Sequence, residues 1–403
     1  MLALNTSLLE RISRALPRGV SDRLALTRRD VLMVLDGLAG RIPSPVVRQR
    51  AIARGEKTPV RPAARAVRVR AVIPETPEAV SLVLEDPTGA PFDYAPGQFF
   101  TVCVTVDGAP LRRAYSASRP ADGSATVRIT VKRVEGGVVS THLTTKLSEG
   151  DALELLGPSG SFTLAPAESA PAHLVLLGGG SGITPLFALA AHALARTDAR
   201  VTLVYGNRAR EDVIFADALD ALAREHPERL TVRHALERPH EGFDGLVGRL
   251  DPDNLARALD ALGDLSDATF FVCGPTPMRE AARDALRARG IDAARVREEV
   301  YASPHGAADA ATRPEVVRLR LRGRERAVTV RAGETILDAA MRDGVDMPFS
   351  CTVGGCGACQ CRRVAGEVVM EEPNCLAAAE RDQGAVLTCV GRPAGPGVVL
   401  EVP

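Results

Sequence analysis

The chain of 403 residues contains no tryptophan, and aromatic residues make up only 3% of it. Its 50 basic side chains are balanced by 50 acidic ones, so the formal net charge is zero. Nucleic-acid-binding proteins usually carry a basic excess, and those that bind single strands present aromatic rings on which bases stack. Because both features are lacking, no nucleic-acid partner is expected.

A long apolar segment that could cross a membrane is also lacking. The longest uncharged stretch, residues 174–195, contains LGGGSG near its start, and these glycines would interrupt a lipid-exposed helix. The N-terminal stretch MLALNTSLLERISRALPRG carries charges inside its apolar run and has no small-residue cleavage site, which disfavours a secretory signal. We therefore expect a soluble, cytoplasmic protein that is not transmembrane.

The pattern of apolar and polar residues changes several times along the chain. Residues 1–62 have helical spacing of apolar residues and, to residue 60, 11 basic against 5 acidic side chains. This extension is predicted to pack on the next domain, with contact to a membrane surface or a partner as the alternative. Over residues 63–165, apolar and polar residues alternate in short runs, which is typical of an antiparallel barrel. Over residues 166–301, predicted strands alternate with predicted helices, as in a doubly wound parallel sheet. Residues 302–314 form a linker, and residues 315–403 open with a hairpin pattern followed by a helix.

Six of the eight cysteines fall between residues 351 and 389. Cys351, Cys356 and Cys359 have the spacing C-x4-C-x2-C, and Cys389 follows after 29 residues. This spacing is typical of a plant-type [2Fe-2S] cluster, whose loop needs glycines for close approach of the backbone to sulfur. Cys361 and Cys375 do not fit the spacing and are predicted to be packing residues. A zinc ribbon is the alternative, but it needs two CxxC-like knuckles and only one pair here has that spacing.

Two regions of the barrel segment contain residues that suit phosphate binding. Pro96-Gly97-Gln98-Phe99 precedes Arg113-Ala114-Tyr115-Ser116, and VKRVEGG then leads to Gly137-Val138-Val139-Ser140, where a helix is predicted to begin. A guanidinium can bind phosphate in bidentate fashion, and free amides at a helix start attract phosphate. The alternative for the second motif is an ordinary helix capped by Ser140.

Two further motifs follow strands of the doubly wound segment. Residues 177–185, LGGGSGITP, follow a buried-looking strand and open a helix, so their glycines would let the backbone approach a dinucleotide pyrophosphate. They do not form the GxGxxG fingerprint. Cys273-Gly274-Pro275 ends another apolar strand, where such sheets bind ligands, although a buried inert cysteine is the alternative.

In this order the motifs resemble those of the ferredoxin–NADP reductase superfamily, and the chain from about Val316 onward resembles plant-type ferredoxins. Over about residues 63–403 the arrangement is similar to that of the reductase components of phenylacetyl-CoA epoxidase, steroid hydroxylase and bacterial fatty-acid desaturase systems. The resemblance implies a multidomain protein of α/β and β type: an antiparallel FAD-binding β-barrel, a doubly wound parallel α/β NAD(P)H-binding domain and a β-grasp ferredoxin domain, after a helical N-terminal extension.

The resemblance also implies roles for particular residues. Arg113 would bind a flavin phosphate, Tyr115 would lie against the isoalloxazine ring, and Cys273 would lie beside the nicotinamide. Glu299-Val300-Tyr301 resembles the terminal E-x-aromatic motif, although the neighbouring Glu298 leaves its register open by one residue. The residues expected in catalysis are Tyr115, Ser116, Cys273 and Glu299. Those expected to bind cofactors are Arg113, Tyr115, Ser116, Lys132, Gly137, Val138, Val139, Ser140, Gly179, Gly180, Gly182, Thr184, Arg208, Arg210, Cys273, Gly274, Pro275 and Tyr301. Those expected to bind metal are Cys351, Cys356, Cys359 and Cys389.

The implied cofactors are FAD, a [2Fe-2S] cluster and NAD(P)H. The second phosphate motif favours FAD over FMN. Arg208 and Arg210 lie where an adenosine ribose is expected and could pair with the 2′-phosphate of NADPH, whereas Glu211 and Asp212 could favour NADH. NADPH is the weakly preferred prediction.

The implied function is a relay in which electrons pass from NAD(P)H through FAD and the cluster to a separate protein acceptor such as an oxygenase, hydroxylase or desaturase. One alternative is an iron–sulfur flavoenzyme that reduces a small molecule directly. The other is a zinc-binding adaptor without enzymatic activity.

Overall fold

A computed structural model of the chain describes residues 64–164, 171–301, 313–371, 374–376 and 378–403. All of them belong to one compact unit, Arg61–Pro403. The predicted helical extension of residues 1–62 lies outside the described residues. No helix in the described ranges is long and apolar enough to span a bilayer.

The first sheet is antiparallel and has the strand order β4-β3-β6-β1-β2-β5. An isolated bridge between Ala117 and Ile129 joins its two edge strands and closes the sheet into a barrel. Apolar side chains at alternate positions, such as Leu82, Leu84 and Ile129, fill the interior. One helix, α1 (Val138–Thr145), follows β5. The strands are β1 (Arg65–Thr76), β2 (Ala79–Glu85), β3 (Phe99–Val106), β4 (Ala109–Ser116), β5 (Thr126–Lys132) and β6 (Ala152–Ser159).

The second sheet is parallel throughout, with the order β10-β9-β8-β7-β11-β12. Every residue of its central strand β7 is buried, because helices cover both faces of the sheet. The predicted doubly wound architecture is therefore confirmed. The strands are β7 (His173–Gly179), β8 (Arg200–Asn207), β9 (Leu230–Leu236), β10 (Leu246–Val247), β11 (Ala268–Cys273) and β12 (Val296–Glu299). The helices are α2 (Ile183–Arg196), α3 (Ala216–Glu225), α4 (Pro252–Asp260) and α5 (Thr276–Ala288), with 3-10 turns at Gly180–Gly182, Arg210–Asp212 and Ala293–Arg295.

The third sheet has the order β14-β13-β19-β15-β17, and a separate two-stranded sheet pairs β16 with β18. Its hairpin and helix occur where the sequence predicts them, and the side chain of Thr335 caps that helix by accepting from the amide of Asp338. The strands are β13 (Glu315–Leu321), β14 (Arg324–Val330), β15 (Gln360–Ala365), β16 (Val368–Met370), β17 (Ala385–Leu387), β18 (Gly391–Pro393) and β19 (Val399–Val402). The helices are α6 (Ile336–Arg342) and α7 (Ala378–Asp382).

Candidate active site

A cavity of about 440 Å³ lies where the barrel, the parallel sheet and the cysteine loop meet. The end of β4 and the turn before α1 form one wall, and the segment after β12 forms another. Val353 and Gly355 of the cysteine loop close it on a third side. The cavity thus brings together residues that the sequence placed in separate motifs: Arg113, Tyr115, Ser116, Lys132, Gly137, Val138, Val139, Ser140, Thr184, Glu299 and Tyr301.

The turn before α1 forms a cradle of backbone amides. Gly137 is the N-cap residue, and no side chain caps this helix end. The Ser140 hydroxyl accepts from the amide of Val134 at 3.1 Å and donates to the carbonyl of Gly137 at 3.3 Å. A Cβ on Gly137 would lie 2.5 Å from Ser140 Oγ, so only glycine fits this close approach. The uncapped amides facing the cavity fit a phosphate group.

Arg113 and Tyr115 project from β4 into the same cavity. Arg113 Nη1 donates to the carbonyl of Arg112 at 2.7 Å, which orients the guanidinium. Burial raises the pKa of the Tyr115 phenol, so this side chain stays neutral. Lys132 Nζ lies 3.7 Å from the position that a Cβ on Gly180 would take. The ammonium group of this barrel residue is therefore next to the glycine loop of the parallel sheet. A cation beside an uncapped helix start suits a phosphorylated ligand.

A hydrogen-bond network connects the barrel to the parallel sheet inside the cavity. Tyr301 Oη lies 2.7 Å from Thr184 Oγ1 and 3.1 Å from Ser116 Oγ. Ser116 Oγ also donates to Glu299 Oε2 at 3.2 Å. Burial raises the pKa of Glu299 to about 8, so this carboxyl carries a proton at neutral pH. The network therefore consists of neutral groups that can each donate or accept a hydrogen bond.

The structure places Glu299, and not its neighbour Glu298, at the cavity. Glu298 points instead toward α5, where its carboxylate pairs with Arg283 at 2.7 Å and Arg279 at 3.4 Å. Glu299 is the carboxyl that bonds Ser116. Side chains alternate along β12, so the two neighbouring glutamates point to opposite sides of the strand.

The glycine loop after β7 packs directly on the Cys273-Gly274-Pro275 segment. A Cβ on Gly182 would lie only 2.0 Å from the carbonyl oxygen of Cys273, so any larger residue would separate the two strand ends. Cys273 itself is fully buried, and burial raises the pKa of its thiol well above the usual range. Gly179, Gly274 and Pro275 are neighbours in this packing. The lining of the cavity itself does not include the residues of this packing: Gly179, Gly182, Cys273, Gly274 and Pro275.

Arg208 and Arg210 lie outside the cavity lining and are already paired with carboxylates. Arg208 pairs with Asp212 at 2.7 Å and with Glu78, which lies between β1 and β2 of the barrel. Arg210 pairs with Asp220 at 2.9 Å. An anionic ligand at this position would have to compete with these carboxylates for the two guanidinium groups.

Four of the C-terminal cysteines converge around a loop whose amides face sulfur. Cys351 Sγ accepts from the amide of Gly355 at 3.3 Å, Cys389 Sγ accepts from the amide of Gly354 at 3.3 Å, and Cys356 Sγ accepts from the amide of Cys351 at 3.4 Å. Cys359 Sγ lies 3.1 Å from Cys389 Sγ. Within the described ranges, no three His, Cys, Asp or Glu side chains are placed to hold one metal ion together. Four thiols with converging amides fit a binuclear cluster, which spreads its ligands over two irons.

The two remaining cysteines of this region behave differently. Cys361 is 2% exposed, and burial raises the pKa of its thiol. Its Sγ lies 3.7 Å from the carbonyl of Cys359 and packs in the core of the third sheet. Cys375 is exposed and lies beside the cysteine loop, where its amide donates to the carbonyl of Gly354 at 2.9 Å.

The contact between the cysteine loop and the barrel was not predicted. Thr101 Oγ1 donates to the carbonyl of Cys351 at 2.7 Å, and the hydroxyls of Ser159 and Ser350 lie 2.5 Å apart. The Phe99 ring packs against Cys351 and Val353 and also lines the cavity. Phe99 belongs to the PGQF motif, but nothing in the sequence pairs it, Thr101 or Ser159 with residues some 190 to 250 positions later.

Comparison with known proteins gives three family matches along the chain. The profile "Oxidoreductase FAD-binding domain" matches residues 69–164. "Oxidoreductase NAD-binding domain" matches residues 176–284, and "2Fe-2S iron-sulfur cluster binding domain" matches residues 319–394. The chain therefore has domains for FAD, for a pyridine nucleotide and for a [2Fe-2S] cluster.

Curated relatives match most of the chain. The ferredoxin reductase component of 3-ketosteroid-9-alpha-monooxygenase from Mycobacterium tuberculosis is 35% identical over 344 residues, covering 81% of this chain and 92% of that protein. A component of the 1,2-phenylacetyl-CoA epoxidase of Escherichia coli is 32% identical over 81% of this chain and 94% of its own length. The glycine betaine monooxygenase reductase subunit of Pseudomonas aeruginosa is 33% identical over 76% of this chain and 87% of its own length.

Solved structures share the fold. Phthalate dioxygenase reductase superposes with a TM-score of 0.63 at 24% identity, covering 84% of this chain and 98% of that one. CYP116B46 from Tepidiphilus thermophilus superposes with a TM-score of 0.60 at 26% identity over 89% of this chain and 45% of that one.

Proposed function

The chain belongs to the family of NAD(P)H-dependent ferredoxin reductase components of multicomponent oxygenases, and from this membership we propose that it supplies electrons to a separate oxygenase, hydroxylase or desaturase. It is an NAD(P)H-dependent oxidoreductase with FAD, pyridine nucleotide and [2Fe-2S] domains. When bound, FAD accepts two electrons from the nucleotide as a hydride, and the cluster passes electrons onward one at a time.

One observation carries the proposal: the loop that bears Cys351, Cys356 and Cys359 forms a wall of the cavity proposed to bind FAD. Val353 and Gly355 line this cavity, and Phe99 contacts both the cavity and Cys351. Thr101 and Ser159 fix the loop to the barrel by hydrogen bonds. Short separation between the two cofactor sites supports electron transfer within one chain.

The cavity residues support distinct roles, which we propose as follows. Arg113, Lys132 and the amide cradle at Gly137–Ser140 would bind the phosphates of FAD. Tyr115 and Ser116 would orient the flavin ring. Glu299, Tyr301 and Thr184 would exclude water and supply neutral hydrogen-bonding groups on the nicotinamide side, with Gly179–Gly182 and Cys273–Pro275 shaping the backbone beneath. Cys351, Cys356, Cys359 and Cys389 would hold the cluster.

We further propose that NADPH is preferred over NADH. Arg208 and Arg210 follow β8, and a guanidinium is the group that best offsets the desolvation of a 2′-phosphate. The carboxylates of Asp212 and Asp220 work against this choice because they occupy the same guanidinium groups. The preference is therefore expected to be modest.

Measurements of cofactor content and of the reduction of electron acceptors test the proposed function. We expect purified protein to contain one FAD and about two irons and two sulfides per chain. NAD(P)H should then support reduction of cytochrome c, a protein acceptor, in addition to menadione, an uncharged quinone. Stoichiometric zinc without sulfide would contradict the cluster assignment. Rapid turnover of a small substrate with no reduction of any protein acceptor would instead favour direct small-molecule reduction.

A further inference from the structure

Charge is distributed unevenly over the ferredoxin segment. The β13–β14 hairpin with its flanking residue Arg331, residues 315–331, contains six arginines and two glutamates, a net charge of +4. The other residues from 332 to 403 contain five basic and ten acidic side chains, a net charge of −5. The near-neutral total of 11 basic and 12 acidic side chains conceals this separation. A partner that approaches the hairpin meets a cationic surface, because opposite charges elsewhere are screened beyond about 8–10 Å.

The arginines of the hairpin fall into two groups. Arg318 and Arg320 lie on one face and share Glu325, at 3.8 Å and 3.3 Å. Arg322, Arg324 and Arg326 form the second group, which we name the arginine tip. All three are exposed, and none forms an ion pair with any carboxylate in the described ranges.

The arginine tip borders a surface recess of about 660 Å³. Its lining also includes the apolar residues Leu321, Ala327 and Val345. Asp343 also lines the recess, but Arg342 neutralises it at 3.0 Å. Asp346 is the other acidic residue of the lining. The recess therefore presents three guanidinium groups beside apolar side chains and two carboxylates, of which Asp343 is paired with Arg342. Guanidinium groups next to apolar side chains are common at charged docking surfaces.

Strand register puts the arginine tip at the same end of the sheet as the cluster. Arg320 and Arg362 are both level with Glu401 of β19, which lies between their strands. Arg322 and Gln360 are each two residues further toward the same sheet end, and Gln360 directly follows Cys359. Two strand spacings separate β13 from β15, so Arg322 lies about 10 Å to the side of this strand. Arg324 and Arg326 belong to the next strand, β14, and lie about 14 Å to its side.

Resting on the proposed function, we propose that the arginine tip is the docking surface for the protein acceptor and that the matching surface of this acceptor is acidic. An acidic patch seated on Arg322, Arg324 and Arg326 brings an acceptor to the cluster end of the domain. Electrostatic steering of this kind acts mainly on the association rate and weakens with salt.

The test uses the full-length holoprotein and two haem proteins of opposite surface charge as probes: acidic cytochrome b5 and basic cytochrome c. The test variant carries Arg322→Glu, Arg324→Glu and Arg326→Glu. The control variant has the same change in net charge on exposed helix residues of the nucleotide domain, Arg224→Glu, Arg257→Glu and Arg287→Glu. The rate at which NADPH bleaches flavin and cluster absorbance serves as the internal reference, because this reaction needs no protein partner.

We expect the test variant to reduce cytochrome b5 with kcat/KM lowered about tenfold or more, and the loss to shrink as ionic strength rises. Its kcat/KM for cytochrome c should stay equal or increase. The control variant should change either value less than twofold, and bleaching should be the same in all three proteins.

Equal losses with both cytochromes would overturn the inference, since they would report a damaged hairpin and not a charge effect. Unchanged kinetics would overturn it too. Binding of the wild type, but not the test variant, to phosphatidylglycerol vesicles with unchanged cytochrome kinetics would assign the arginines to a lipid surface instead. A wild type that reduces menadione but neither cytochrome would overturn the proposed function itself, and this inference with it.

Discussion

At the scale of single residues, the cavity contains, besides the cations Arg113 and Lys132, ionisable side chains that stay neutral at neutral pH, among them Glu299 and Tyr301. Burial raises the pKa of Glu299 to about 8 and that of the Tyr301 phenol well above its usual range. Tyr301 donates to or accepts from both Ser116 and Thr184. A neutral carboxyl can donate one hydrogen bond and accept another, which an ionised one cannot do.

The raised pKa of Glu299 predicts a pH dependence of folding. Below pH 4.5 the carboxyl is protonated in both the folded and the unfolded chain; between about 4.5 and 8 only the folded chain retains the proton. The folded state then binds more protons, so this residue's contribution to stability falls as pH rises through that window. We expect Glu299→Gln to remove this trend in the free energy of unfolding measured from pH 5 to 8. Parallel profiles for wild type and variant would show that Glu299 titrates normally.

The cysteine pattern predicts which thiols are needed for the cluster. Replacing Cys351, Cys356, Cys359 or Cys389 by serine should abolish visible cluster absorbance and cytochrome c reduction. Ferricyanide reduction, which can draw on the flavin, should largely survive. Cys361→Ser and Cys375→Ser serve as controls and should keep the cluster, because neither residue fits the C-x4-C-x2-C spacing and Cys361 packs in the core of the third sheet. Loss of the cluster in Cys361→Ser together with its retention in Cys359→Ser would mean that the ligand register is wrong.

At the scale of elements, the third sheet with its helix α6 and its cysteine loop is held to the barrel by contacts of unequal strength. The ion pair between Arg112 and Asp338 joins β4 to α6 at 3.0 Å, but both side chains are more than a third exposed. Such a pair contributes about 0–1 kcal/mol. The hydrogen bond from Thr101 to Cys351 is buried, and Phe99 packs beside it. The buried contacts, and not the ion pair, therefore dominate the attachment of the loop.

This ranking predicts the effect of Thr101→Val, which keeps the side-chain volume but leaves the carbonyl of Cys351 without its partner. An unsatisfied buried acceptor costs roughly 1–3 kcal/mol. We expect faster loss of cluster absorbance in the presence of a chelator and a lower unfolding midpoint. Thr105→Val, at an exposed position of the same strand, is the matched control and should change neither. If the two variants behave alike, the bond to Cys351 does not hold the loop.

At the scale of the whole molecule, Arg208 connects the nucleotide sheet to the barrel through Glu78, beside the region expected to bind adenosine. The same guanidinium is paired with Asp212, whose side chain is largely buried. If Arg208 selects the nucleotide as proposed, the choice of nucleotide and the contact between the two domains would depend on the same charges.

The proposed preference for NADPH is tested by kcat/KM for both nucleotides in the wild type and in an Arg208→Ala, Arg210→Ala double variant. We expect the wild type to favour NADPH modestly and the double variant to lose that preference, because the 2′-phosphate then has no guanidinium partner. The ratio of the two values is insensitive to the fraction of active protein. A wild type that favours NADH, or a ratio that the variant leaves unchanged, would show that these arginines do not select the nucleotide.

The sequence by itself determined the features that neighbouring residues encode. The cysteine spacing at 351–359, the glycine turn at 137–140 and the strand–loop–helix at 174–195 each depend on local backbone geometry, and contiguous residue types report that geometry directly. The order of these motifs along the chain also predicted three successive domains, each with its own sheet, and the cofactors that they bind.

Only the tertiary structure decided which distant residues meet. Ser116 and Glu299 are 183 positions apart and Thr101 and Cys351 are 250 apart, and their hydrogen bonds exist because packing brings separate sheets together. The fold also decides which carboxylates come near each arginine. It pairs Arg208 with Glu78, and it brings no carboxylate of the described residues into an ion pair with Arg322, Arg324 or Arg326. Charge counts along a chain carry no such information, because electrostatic interactions depend on distance in space and not on separation in sequence.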